Sequence, residues 1–459
     1  MVMGAIQTTI DMVLREAMLF AAIGLLIGGL DDLLVDLLFV VRKVWHRREV
    51  AWTVAMLRPE RAGRIVVFVP AWDEQAVIGP MLARALDRYR HPDYRIHVGL
   101  YPNDPGTIAA VMAVASRDSR VRAVIGDTPG PTTKAACLNT LWHDLEATGA
   151  VASTRAIALH DAEDLIHPDE LTVFDALIGD HAVVQLPVMP LVKPGSPFIS
   201  GHYLDEFAEA HQKQLPVRTF VGAGMPLAGT GCAVAPWIVA RLAAMRGGDP
   251  FDPASLVEDY ELGLRIAELG GRGVFARVTD DHGQPVAVRA YFPATLATAV
   301  RQKARWITGI ALAGWDRTGW ARPLAVIDHW MRARDRRAPI AVLVLVSAYG
   351  AIAAWLASAA LHGWTGEATA TALADPVRML LPVNAALLAW RIGMRAAFTG
   401  QAAGWRQALW SVPRIVVGNV VLLLAAARAM WRYAGMLRGT ALAWDKTAHH
   451  FPDAEAAAS

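Results

Sequence analysis

Arg64-Ile65-Val66-Val67-Phe68-Val69-Pro70-Ala71-Trp72-Asp73-Glu74 decides the fold: an apolar run suited to a buried strand stops at a proline, and acids come at once after it. Short runs of the same kind recur at 95–100 (RIHVGL), 121–125 (VRAVI), 155–159 (RAIAL) and 182–186 (AVVQL). Between them, 75–89, 105–116 and 133–146 carry helical spacing, each opening near a Pro, a Thr or an acid suited to a helix start. Strands alternating with amphipathic helices from about Arg64 to Val278 predict a layered α/β domain. Ligands of such sheets bind beyond the carboxyl ends of the strands, which points to Pro70–Glu74, Pro102–Gly106 and Asp161–Asp164.

Outside this block the chain is more apolar. Of its 459 residues 54% are hydrophobic and 19% charged, and a mean hydropathy of +0.31 exceeds that of a soluble domain. One large globular domain beside a membrane portion is expected. A net charge of +2 gives no reason to expect a nucleic-acid partner. Cys137 and Cys232 lie far apart without metal-ligand spacing and read as small core residues of a reducing compartment. The stretch from about Met12 to Val41 exceeds the roughly 20 apolar residues that span a bilayer, and with no cleavage pattern after it, it is read as retained. Asp31, Asp32 and Asp36 would each cost roughly 2.5 to 3.5 kcal/mol at the bilayer centre, so the span is expected to end near Leu30 and the next piece to lie in the interface. The basic run Arg42–Arg48 then places the residues beyond it in the cytosol.

Arg332–Arg337 forms a second basic flank before a span at 339–361, and His362–Asp375, a linker without Lys or Arg, is placed outside. The chain returns at 376–390, with Arg391 and Arg395 marking the inner side. The apolar stretch 409–431 holds Arg414, Asn419 and Arg428 and is read as an interfacial or re-entrant helix that leaves the C-terminus cytosolic. About three full spans result. The expected organisation is 1–60 for N-terminal transmembrane and interfacial helices, 61–285 for the catalytic domain, 286–338 for an interface-helix region and 339–459 for C-terminal transmembrane and interfacial helices.

Three clusters carry the chemistry. His160-Asp161-Ala162-Glu163-Asp164 gathers acids where a strand emerges, and carboxylates this close repel unless a cation sits between them, as hard oxygen ligands for Mg²⁺ or Mn²⁺ would allow. The same acids also fit a helix N-terminus, since Pro168-Asp169-Glu170 opens a helix soon after. Glu258 and Asp259 open an amphipathic helix, where Asp259 suits a general base for an attacking hydroxyl and both acids equally suit the helix dipole. Before them, Gly229-Thr230-Gly231 is a turn that lets a sugar approach the backbone, or a tight strand entry. In Gln302-Lys303-Ala304-Arg305-Trp306 a helix puts Gln302, Arg305 and Trp306 on one face: an amide, a guanidinium suited to a diphosphate and an aromatic plate for a sugar ring. Arg, Lys and Trp also anchor chains at membrane surfaces; it is the order of the three clusters that favours catalysis.

In that order the motifs resemble those of the processive family 2 glycosyltransferases, a group that includes bacterial cellulose and hyaluronan synthases, from about Arg64 to Trp306. The resemblance implies a GT-A fold, a Rossmann-like domain for a nucleotide-sugar. Pro70, Ala71 and Glu74 are similar to the nucleotide-binding P-A-Y-N-E word, and Lys134-Ala135-Ala136-Cys137-Leu138-Asn139 to K-x-x-A-L-N, which implies Lys134 as a diphosphate contact. Asp161 and Glu163 match the metal-binding D-x-D, Glu258-Asp259 matches T-E-D with Asp259 as base, and Gln302, Arg305 and Trp306 match Q-x-x-R-W. By the same token Asp161 and Arg305 are expected at the donor, and Gly229, Thr230, Gln302 and Trp306 at the acceptor. Two departures stand out: Glu163 replaces the second Asp, with Asp164 as its substitute, and D-D-G-S appears only as Tyr101–Thr107, which leaves Asp104 to read the base.

Gly29–Leu34, Tyr101–Pro105 and Leu442–His449 further resemble the inner-membrane phage-adsorption protein B type, which implies a cell-surface exopolysaccharide product. Members of that type often add a C-terminal domain that binds cyclic di-GMP, and that control is not expected of a chain ending at Ser459. The expectation is a multi-pass protein of the bacterial inner membrane with its catalytic domain cytosolic. It would transfer sugar, with inversion, from a nucleotide donor, a UDP-sugar by preference, to a glycan or lipid-linked acceptor. Single addition to a lipid carrier and a non-catalytic receptor or scaffold are the alternatives. Three spans are few for exporting a polar polymer, so a homo-oligomer or envelope export partners are expected, with membrane lipids around them.

Overall fold

A computed structural model of the chain describes residues 2–45, 52–59, 61–365, 375–439 and 451–452. The expectations for 46–48 of the basic run, for 366–374 of the linker and for Leu442–His449 lie outside the described residues.

Arg64–Pro70 forms β1, in which every residue after Arg64 is buried. Such a strand is covered on both faces, which its unbroken apolar run requires. Next come β2 (Tyr94–Leu100), β3 (Val121–Ile125) and β4 (Thr154–Leu159), alternating with α2 (Ile78–Arg88), α3 (Pro105–Ala115) and α4 (Lys134–Ala147). The shorter β5 (Val183–Gln185), β6 (Val188–Leu191), β7 (Cys232–Val234), β8 (Gly273–Phe275) and β9 (Val288–Tyr291) come later in the chain; of these only β5 has an apolar run long enough to announce itself. The described residues form a seven-stranded sheet of order β3-β2-β1-β4-β7-β5-β8, parallel except for β7. β6 and β9 pair with each other beside it. Leu82 of α2, Leu141 and Trp142 of α4 and Phe174 pack with β1 in one core, and Cys137 and Cys232 are buried free thiols. Because the chain turns one way to β2 and β3 and then back past β1 to β4, the carboxyl ends of β1 and β4 flank a switch point, where α/β sheets hold their ligands.

Among the described residues four helices are long and apolar enough to cross a membrane, one more than the sequence count: α1 (Val2–Trp45), and the helices Ala338–Thr365, Asp375–Ala403 and Trp405–Leu437. The first, α1, runs unbroken past Leu30 to Trp45, and Val35, Leu38 and Phe39 dock on Val217, Ala223 and Met331. The three acids are paired with protein. Asp31 accepts from Trp330 (2.7 Å), Arg337 (2.8 Å) and Arg334; Asp32 accepts from Arg334 and Arg337 (3.0 and 2.7 Å) and pairs with Arg391; Asp36 accepts from Lys213 (2.5 Å) and Trp390 (2.8 Å). Charges far away in sequence thus compensate acids that look costly one segment at a time.

The helix Trp405–Leu437 qualifies as a crossing by length and apolarity, yet one face lies on the domain. Arg414 is buried against Asp205 (3.2 Å), Val421 packs with Tyr203 and Ala299, and Ala425, Ala426 and Ala429 pack with Ala304, Ile307 and Ala311. From Ser411 to Ala429 that seated face is about 27 Å long.

Candidate active site

The donor side is built where β1 ends. Ala71 N–H donates to Gly99 O (2.9 Å), and Asp73 adopts a left-handed φ of 53° that swings the chain across the strand ends. Asp104 fixes this turn: one carboxylate oxygen accepts from Asp73 N–H (2.6 Å), the other from Thr107 N–H (3.2 Å) as the cap of α3. Asp104 therefore has a capping duty beside any base-reading one. Glu74 is buried, and its N–H donates to Thr107 Oγ1 (2.9 Å). Trp72 meets Tyr101 edge to face (5.1 Å), and Asn103 exchanges two 2.7 Å hydrogen bonds with Gly130. This aromatic wall was not singled out as a site from sequence, although an aromatic beside the strand-ending Pro-Ala was a visible signal.

Thr133 caps α4 and sets Lys134 at its first position, facing the sheet. Lys134 Nζ donates to Asp161 Oδ1 (2.5 Å) and Gly229 O (3.0 Å) and stands 3.8 Å from Glu258 Oε1. Burial alone would lower its pKa, but the carboxylates of Asp161, Glu258 and Asp259 outweigh that and raise it, so the ammonium stays charged. Gly229 and Gly231 both need positive φ, 79° and 59°. A Cβ at Gly229 would fall 2.6 Å from Asp259 Oδ2, so only glycine lets the turn pass under that carboxylate.

Glu258 and Asp259 open the helix Glu258–Glu268. Asp259 lies deep in the fold while keeping part of its surface open to the cleft, and its pKa is pushed up to about 7. Burial is the main cause and Glu258 adds to it, against the pull of Lys134 and Arg305. Arg305, on the helix Leu296–Trp306, donates to Leu256 O (3.1 Å), which ties it to the loop before Asp259. Trp306 is half-buried, edge-on to Tyr203 (6.1 Å) with the Lys303 ammonium 5.5 Å from its ring centre. Gln302 Oε1 is buried with no hydrogen-bond partner among the described residues, a polar atom that a donor group on a ligand would satisfy.

Lys134, Asp161, Glu258, Asp259 and Arg305 thus converge at the switch point, with Glu163 on the Asp161 turn. Thr230 turns inward, its hydroxyl donating to Asp164. Asp164 is not placed to replace Glu163 as a ligand: it is 2% exposed, and its Oδ2 also accepts from Asp161 N–H (2.8 Å) and His160 Nδ1 (3.0 Å). His160 is held protonated, up to about 10, because Glu170 and Asp164 outweigh its burial. Among the described residues no three His, Cys, Asp or Glu side chains gather as a metal cage. Asp161 and Glu163 are both partly exposed on the turn after β4, and their oxygen donors suit Mg²⁺ or Mn²⁺, which commonly bind through one or two carboxylates and complete their shell with substrate phosphates.

A mixed sheet with a lysine, acids and an arginine at its switch point defines a GT-A glycosyltransferase, and residues 62–309 match the family described as Glycosyltransferase like family 2, to which this chain belongs. Over an alignment of 468 residues that covers 94% of this chain it is 34% identical to bacteriophage adsorption protein B of Escherichia coli strain K12 and equally to bacteriophage N4 adsorption protein B of Escherichia coli O157:H7. The chain spans 61% of the length of these relatives. In fold it is similar to the mannosyltransferase PcManGT from Pyrobaculum calidifontis, solved in complex with GDP-Man and Mn²⁺ (TM-score 0.55, 19% identity, 90% of this chain and 99% of that one).

Proposed function

We propose that this membrane glycosyltransferase sits in the bacterial inner membrane with its catalytic domain on the cytosolic side and transfers sugar, with inversion, from a UDP-sugar to a growing cell-surface exopolysaccharide. One observation carries the reading: Lys134, Asp161, Asp259 and Arg305, from four separate stretches of sequence, meet at the carboxyl ends of β1 and β4.

In the proposed reaction Asp259 takes the proton of the acceptor hydroxyl, that oxygen bonds to the anomeric carbon, and the bond from carbon to the diphosphate breaks. Lys134 and Arg305 supply positive charge where the diphosphate leaves. Asp161 and Glu163 would hold a divalent cation, which when bound neutralises the same charge. The Trp72–Tyr101 wall and Asn103 suit a nucleobase, whereas Gln302 and Trp306 suit the acceptor sugar. The relatives' name, the basic residues at 332, 334, 336 and 337 beside a long apolar helix, and the pairing of α1 with the domain support the placement. Incubating the purified full chain with a panel of UDP-sugars and Mn²⁺ tests it: one donor should release UDP faster than the rest, and no release from any donor would count against the reading.

A further inference from the structure

Beneath the cluster runs a closed ring of hydrogen bonds. Asp161 Oδ1 accepts from Lys134 Nζ (2.5 Å), and the same ammonium donates to Gly229 O (3.0 Å). The next residue, Thr230, donates its hydroxyl to Asp164 Oδ2, and that oxygen accepts from Asp161 N–H (2.8 Å), which brings the ring back to its start. Behind it, a buried strut holds Asp164 in place. His160 Nδ1 donates to Asp164 (3.0 Å), His160 Nε2 stands 2.9 Å from Glu170 Oε1, and that oxygen accepts from Tyr89 O–H (2.6 Å). Asp164, His160 and Glu170 are all 2% exposed or less.

We propose that Asp164 and Thr230 are positioning residues that lock the Asp161 turn to the Gly229–Gly231 turn, so that Lys134 and Asp161 are held together facing the donor diphosphate. The inference rests on the proposed function, in which Lys134 meets the diphosphate and Asp161 holds the cation beside it. Its physical basis is that the antiparallel pairing of β4 with β7 ends at Leu159 and Cys232 and sets the two turns side by side, and that beyond this last pair the ring is what joins them. An ammonium held by two partners at known positions needs no rearrangement when the diphosphate arrives, and a displacement of about 1 Å in such a group costs about 100-fold in rate. The ring also sets the floor under Asp259, because Gly229 passes directly beneath that carboxylate. Thr230 itself is 6% exposed, so its hydroxyl serves the ring and does not meet a sugar.

The test uses the full chain in detergent with Mn²⁺ and the donor it turns over. Thr230→Val keeps the shape and removes the hydroxyl, Thr230→Ser keeps the hydroxyl, and Asp164→Ala removes the hub. Turnover, donor KM, acceptor KM, UDP affinity by calorimetry and Tm are measured for each. Thr230→Val should lose at least about tenfold in turnover with a raised donor KM, weaker UDP binding and a Tm close to the parent's, and Thr230→Ser should recover most of that loss. Asp164→Ala should lose more; should it fail to fold, the Thr230 pair carries the test. Equal turnover and UDP affinity in Thr230→Val and the parent, a change confined to acceptor KM, or equal losses in Thr230→Val and Thr230→Ser would each overturn the inference alone. A parent chain that neither binds UDP nor turns over any donor would overturn the functional reading and this inference with it.

Discussion

Asp259 shares the first turn of its helix with Glu258, and the same burial that lifts it to about 7 gives it two measurable properties. A general base works ionised, so kcat/KM should rise through an acid limb near pH 7 instead of near the ordinary carboxylate value of 3.8. The native state holds a proton on Asp259 that the unfolded chain has already released, so this group's contribution to stability falls as pH rises from 3.8 to about 7. Asp259→Asn should therefore cost roughly 100-fold to 10,000-fold in turnover while its Tm gains on the parent's between pH 5 and pH 8. Parallel thermal melts at the two pH values check the second half. Asp161 and Glu163 offer only oxygen ligands, so EDTA should abolish turnover and Mn²⁺ or Mg²⁺ restore it; full activity after exhaustive chelation would sink the metal assignment.

At the scale of elements, the helix Glu258–Glu268 is held from outside the sheet. Tyr260 O–H donates to Asp335 (3.0 Å), Arg218 donates to both Asp335 oxygens (2.7 and 2.9 Å), and Arg332 reaches Glu268 (2.9 Å). Asp335→Ala strands the buried Arg218, so it should destabilise the domain by about 3 to 5 kcal/mol in denaturant melts and lower turnover with it. Trp306→Ala should raise acceptor KM more than donor KM; equal rises would mean that its packing against Tyr203 and Phe207 is its whole role. The first four strands were legible to within about one residue because each is a short, mostly apolar run ending in turn residues. The helix Ile199–Glu209 was not, since His202, Asp205 and Glu206 interrupt its apolar pattern; His202 and Asp205 are buried, Glu206 is half-buried, and partners such as Arg414 and Lys303 arrive later in the chain. The site obeyed the same rule. Lys134, Asp161, Asp259 and Arg305 were legible as motif words at strand and helix ends, whereas the inward turn of Asp164 depends on His160 and Thr230 closing over it.

For the whole molecule, the acids of α1 are the joint between membrane and domain. Reversing Asp31 and Asp32 to Arg should lower yield and activity, and reversing Arg334 and Arg337 to Asp in the same chain should restore part of both. The helix Trp405–Leu437 rests one face on the domain over about 27 Å, and we read it as lying along the membrane surface and not as a fourth crossing. A single cysteine placed at Met436 should therefore react with an impermeant reagent from the side that carries the catalytic domain; reaction only from the opposite face would make this helix a fourth crossing.

Sugar transfer at Asp259 is the central claim, and the anomeric configuration of the product reads it directly. With the preferred α-linked UDP-sugar and the full chain, NMR of the product should show a β linkage, and Asp259→Asn should bind UDP as the parent does yet form no product. A product with the donor's own configuration, or an Asp259→Asn chain that transfers as fast as its parent, would contradict it.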